Sequence, residues 1–144
     1  MKEREVVVTG IGLLTALGSL SESWQHLLAG RSGIRLEQPF PDLPAHPMGF
    51  VGTQPTPFHS LLERTVAAAI ADAELEPPLN DCGVVIGSSR SYQAEWEFFL
   101  RHPEVEIQHW SETLPGSGAI ATARQLGATG PVLAPMAACA SGIW

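Results

Sequence analysis

The sequence predicts an α/β fold with a mainly parallel sheet flanked by helices. Three short apolar runs, residues 6–9, 83–87 and 131–136, read as buried strands bounded by Gly or Pro. Stretches with apolar residues at helical spacing lie between them. Strands that alternate with helices in this way are joined by crossovers and lie parallel in one sheet. At 144 residues the chain is long enough for one domain, residues 1–144, with a sizeable core.

Taken in order, Val6, Val7, Val8 and Thr9 form a β-branched run that ends at Gly10 and Gly12. Ser19 stands three residues before Glu22, the spacing of a capping box, and Trp24, Leu27 and Leu28 follow on one helical face up to Gly30. Residues 35–57, rich in Pro and Gly, read as an irregular connection with one short strand near residues 48–51. Ser60 and Glu63 repeat the capping-box spacing, and Leu61, Leu62, Val66, Ala69, Ile70 and Ala73 continue a helical stripe that Pro77 and Pro78 end. The second strand is G-V-V-I-G, residues 83–87. Tyr92, Trp96, Phe99 and Leu100 mark a helix closed by Pro103, and Ile120, Ala123 and Leu126 mark another closed by Gly127. The third strand then leads into A-A-C-A-S-G.

Composition excludes several classes of function. A formal net charge of -7 with eight scattered Lys and Arg residues gives no basic face for nucleic acid and disfavours an anionic membrane surface. No apolar run approaches the roughly 20 residues of a membrane span, and M-K-E-R-E-V-V-V lacks the form of a signal peptide. Two cysteines make no disulfide framework, so the reducing cytoplasm is the expected compartment. The five histidines, His26, His46, His59, His102 and His109, have no metal-ligand spacing and read as surface residues. Glu104, Val105 and Glu106 form an acidic stretch.

Two segments invite a chemical reading. Gly10-x-Gly12 after a strand has part of a dinucleotide fingerprint, but the third glycine position holds Thr15 and no carboxylate follows at the required distance. Glycines permitting a tight turn after a strand account for it better. The second is Cys139, flanked by small residues that allow a sharp strand-to-helix turn. There a helix dipole would favour thiolate, and the Cys139 backbone N–H would face a developing oxyanion. Pattern alone leaves open whether Cys139 is a nucleophile or a small buried apolar residue. Cys82, at a strand edge, reads as structural.

Taken together, V-V-V-T-G-I-G-L-L-T-A-L-G, W-Q-H-L-L-A-G-R-S-G-I, V-V-I-G-S-S, A-I-A-T-A-R-Q-L-G-A-T-G-P and P-M-A-A-C-A-S-G resemble, in order, the amino-terminal half of the elongating β-ketoacyl-acyl-carrier-protein synthases. The resemblance implies an incomplete thiolase-like fold, part of its first βα repeat. It implies an acyltransferase of fatty-acid or polyketide synthesis in which Cys139 is the nucleophile and a backbone oxyanion donor. The partner implied is an acyl carrier protein bearing phosphopantetheine-linked acyl and malonyl groups, with no metal or organic cofactor. A homo- or heterodimer is implied as well. In that family two histidines, a lysine and the second oxyanion donor follow the nucleophile, and no histidine here lies in a matching motif. The chain therefore reads as a truncated piece unable to complete condensation alone, or as a non-catalytic synthase-like partner subunit. Arg64 matches a carrier-docking position. Arg90 stands where the family lines its acyl pocket with small or apolar residues. It either meets the acyl chain, at a desolvation cost, or turns to solvent.

Overall fold

A computed structural model describes residues 5–104 and 110–143. The chain divides into two compact units, Met1–Leu75 and Glu76–Trp144.

In the first unit the expected strand over residues 6–9 is not formed, and Val6, Val7 and Val8 are exposed. A β-branched run supplies strand propensity, but a strand exists only when a second backbone pairs with it, and none does so among the described residues. The chain instead makes a small antiparallel pair, β1 (Leu14–Thr15) and β2 (Gly18–Ser19), with Leu14 opposite Ser19. Helix α1 (Leu20–Leu28) starts where the capping-box spacing places it. The Glu22 carboxylate accepts from the Ser19 N–H at 2.8 Å and the Ser19 hydroxyl at 2.7 Å. One turn on, Ser23 is buried, within hydrogen-bonding distance of Thr15 Oγ1 and donating to the Gly18 carbonyl, which ties α1 to the hairpin. The helix ends on Gly30 at φ +65°, with Gly30 N–H on Leu27 O and Arg31 N–H on His26 O.

Residues 35–57 are more ordered than the sequence predicts. β3 (Arg35–Glu37) and β4 (His46–Met48) pair antiparallel, so the expected strand lies two residues earlier and has a partner. Pro47 sits in β4, where a missing donor hides such a strand from pattern reading.

Helix α2 (Phe58–Asp72) begins two residues before the Ser60–Glu63 box and is capped by Pro57, whose carbonyl accepts from the Ser60 and Leu61 amides. The predicted box is thus inside the helix and does not form. The helix also stops before Pro77: Glu74 takes φ +54°, and the Glu74 and Leu75 amides bond Ala71 O and Ile70 O. Gly10 and Gly12 lie against α2. A Cβ on Gly10 would meet Ala69 O at 2.5 Å, and one on Gly12 would overlap the Thr65 carbonyl. Neither has a positive φ, so they serve close approach to a helix rather than a tight turn or a phosphate.

In the second unit the parallel pairing expected of the second and third strands is present. β5 (Val84–Val85) and β6 (Val132–Leu133) pair with Val84 opposite Val132. Backbone bonds extend the pairing from Gly130 N to Cys82 O at one end and from Ser88 N to Pro135 O at the other. Helix α3 (Gln93–Arg101) follows β5, then a 3-10 turn over Trp110–Thr113 and helix α4 (Ser117–Leu126). Ala119 and Ala123 of α4 pack on Val84, with Ile86, Ala128 and Ala134 around them. Gly127 ends α4 at φ +61°, as predicted. Of the ladders described, this one is parallel and the two in the first unit are antiparallel. Among the described residues no helix is long and apolar enough to cross a membrane.

Candidate functional site

The parallel ladder carries the chain from β6 through Ala134 and Pro135 to a sharp turn. Ala138 lies at φ +47°, and residues Ala138–Ile143 wind as a 3-10 turn with Cys139 in second place, exposed. Ser141 holds the turn together. Its hydroxyl accepts from the Ala137 N–H at 2.9 Å and donates to the Ala138 carbonyl at 2.8 Å. Gly87, on the β5 side, has no side chain where the Ser141 carbonyl passes, and a Cβ there would overlap it. The strand, the small residues and the bend thus present the thiol at the end of a strand, as the sequence predicts. The helix behind it is a single 3-10 turn rather than an α-helix, so the expected dipole of aligned peptides is largely missing.

A cleft of about 220 Å³ lies in the same unit. Arg90, Ser91, Tyr92, Trp96, Pro115 and Met136 are among the residues that line it. Met136, three residues before Cys139, lines the cleft and leads into the Cys139 turn. Trp96 is anchored by its indole N–H on the Thr113 carbonyl at 2.9 Å. Tyr92 is buried, and this burial, with the Glu95 and Glu112 carboxylates nearby, pushes its phenol above the usual tyrosine range. Ser91 Oγ and Glu95 Oε2 are buried without a hydrogen-bond partner among the described residues. Arg90 is exposed and borders the cleft.

The remaining candidates are dispersed. Arg64 is exposed on α2 in the first unit. His26 Nδ1 bonds the Leu17 carbonyl, His46 is exposed in β4, and His59 is exposed in α2. His102 pairs with Glu104 at 3.1 Å and packs on Phe98. His109, Val105 and Glu106 lie outside the described residues. Cys82 is half-buried with its Sγ near the Gly83 carbonyl, a structural placement. No cluster of His, Cys, Asp or Glu among the described residues could hold a metal ion. Sequence reading missed Ser141, Gly87 and the Tyr92–Trp96 wall. The serine two residues after Cys139 and the i, i+4 aromatic pair were the available signals.

The site is thus a short parallel strand pair followed by a bent turn that exposes a cysteine. Residues 50–144 match the model of the β-ketoacyl synthase N-terminal domain, and the chain belongs to that family. Within it, a stretch of 36 residues is 50% identical to 3-oxoacyl-[acyl-carrier-protein] synthase 2 of Coxiella burnetii. That stretch is 24% of this chain and 9% of the relative, so the chain is matched to a small part of the longer protein. The resemblance read from the sequence is borne out at the level of the family.

Proposed function

We propose that this chain carries the acyl-accepting part of a β-ketoacyl synthase with a thiolase-like fold. The observation that carries the reading is the exposed Cys139 on the Ser141-braced turn, in a chain of this family. Cys139 Sγ attacks the carbonyl of an acyl thioester carried on phosphopantetheine. The new S–C bond forms, the carrier's thiolate leaves, and the proton from Cys139 ends on it. The backbone N–H of Cys139 is assigned to the developing oxyanion. In the second stage a malonyl thioester loses carbon dioxide. Its carbanion attacks the acyl-cysteine and returns the Cys139 thiolate. That stage needs proton-handling groups, and the five histidines of this chain lie in none of the family motifs that supply them. Arg64 is assigned to the acidic carrier protein.

The test is intact-mass analysis after incubation with an acyl-carrier thioester. One acyl adduct is expected, absent in Cys139→Ala and unchanged in Cys82→Ala. No adduct, or an adduct that survives Cys139→Ala, overturns the reading. Arg64→Glu should slow acylation from the carrier protein by about fivefold to tenfold and leave acylation from a small-molecule thioester unchanged.

A further inference from the structure

We propose that the cleft beside the nucleophile turn seats the far end of an acyl group that bears a carboxylate, rather than a plain alkyl end. This rests on Cys139 being the acyl acceptor and names the substrate class. The walls divide by chemistry. Tyr92, Trp96, Pro115 and Met136 form an apolar side, and the consecutive Ser89, Arg90 and Ser91 form a polar one. The polar side offers one charged donor that is not already committed, the Arg90 guanidinium. Arg90 makes no ion pair or side-chain hydrogen bond among the described residues. By contrast, the Gln93 amide donates to Glu97 and the Thr113 hydroxyl to the Trp110 carbonyl. A guanidinium carries only donors in a planar fork, and a carboxylate is the acceptor that matches it.

Charge and size agree. Glu95 and Glu112 act on the Tyr92 phenol, but Arg90 is the charged residue among those lining the cleft. An alkyl terminus would cover the Arg90 guanidinium without pairing it, a desolvation cost. The cleft, at about 220 Å³, exceeds the roughly 150 Å³ that suffices for a benzene ring. Met136 lines the cleft and stands three residues before Cys139, so the chain between them spans at most about 11 Å.

Two probes of equal length test this: the N-acetylcysteamine thioesters of adipic acid, with a free carboxylate, and of hexanoic acid. Binding is read from the Trp96 indole N–H resonance and acylation from the intact mass. The adipoyl probe should shift Trp96 and acylate Cys139 about tenfold faster than the hexanoyl probe. Arg90→Gln should bring that ratio close to one, and Arg90→Lys should restore part of it. A ratio near one in the unmodified chain overturns the proposal. So does an unchanged ratio in Arg90→Gln, or an equal Trp96 shift with phosphopantetheine alone. An Arg90-dependent Trp96 shift without any adduct on Cys139 would sustain the cleft and overturn the assignment of the nucleophile.

Discussion

Ala138 holds a methyl group in a left-handed backbone conformation next to the candidate nucleophile. For a residue with a Cβ that conformation costs roughly 1–2 kcal/mol. Ala138→Gly should therefore raise stability by about 1 kcal/mol in urea unfolding and keep acylation, whereas Ala138→Val should lose both. Glu74 is left-handed too, and Glu74→Gly should stabilise by a similar amount, about 1 kcal/mol, without touching acylation. The bend before Cys139 was legible from its run of small residues. Which of three alanines bends was not, because alanine has no preference for the conformation and the choice is made by Ser141 bridging Ala137 and Ala138. Tyr92 is the sole tyrosine, so phenolate absorbance reads the cleft directly. It should titrate above the ordinary value of 10.0, because burial and two neighbouring carboxylates disfavour the anion. Raised in the fold, it leaves stability intact below that value and erodes it as pH climbs through the folded pKa. A midpoint at or below 10.0 in the folded chain would contradict the buried placement.

At the scale of elements, α1, α2 and α4 all close with the same pair of backbone bonds around a left-handed residue. The closure was legible where glycine supplies it, at Gly30 and Gly127, and invisible at Glu74. The start of α1 was legible because Ser19 and Glu22 meet within one turn and need nothing distant. The start of α2 was not, because Pro57 caps it and the Ser60–Glu63 spacing is incidental. The strand at residues 6–9 failed for the opposite reason: its formation depends on a partner that propensity does not specify. The α1 cap also sets a pH dependence. Hydrogen bonds from the Ser19 backbone and hydroxyl hold the Glu22 carboxyl below its ordinary 4.5. Its contribution is present above that value and is lost as pH falls through the lower, folded pKa. The stability gap between the unmodified chain and Glu22→Gln should be widest near neutral pH and close in acid. A gap that grows in acid would show that the cap does not act through the carboxylate.

On the scale of the whole molecule, apolar surface is distributed unevenly. The buried hydrophobic residues of the described chain, Val84, Tyr92, Ala119, Ala123 and Leu126, all belong to the second unit. In the first unit Trp24, Leu27 and Leu28 are exposed at 62%, 61% and 71% along one face of α1. The amphipathic stripe that predicted α1 is therefore real, and its apolar side is the solvent side. Faces of this kind promote association. Light scattering should show mass rising with concentration, and Trp24→Ser with Leu28→Ser should lower it. A concentration-independent monomer would contradict this. The Cys139 turn has a different dependence on the chain as a whole, through time. Its geometry requires Gly87 to lie beneath Ser141, and the strands that bring them together pair residues as far apart as Val84 and Val132. Contacts so distant along the chain close late in folding, after local helices have formed. During synthesis or refolding, Cys139 therefore exists first as an ordinary accessible thiol on an unstructured segment. The selectivity proposed for Cys139 should emerge with the slowest folding phase rather than with helix formation.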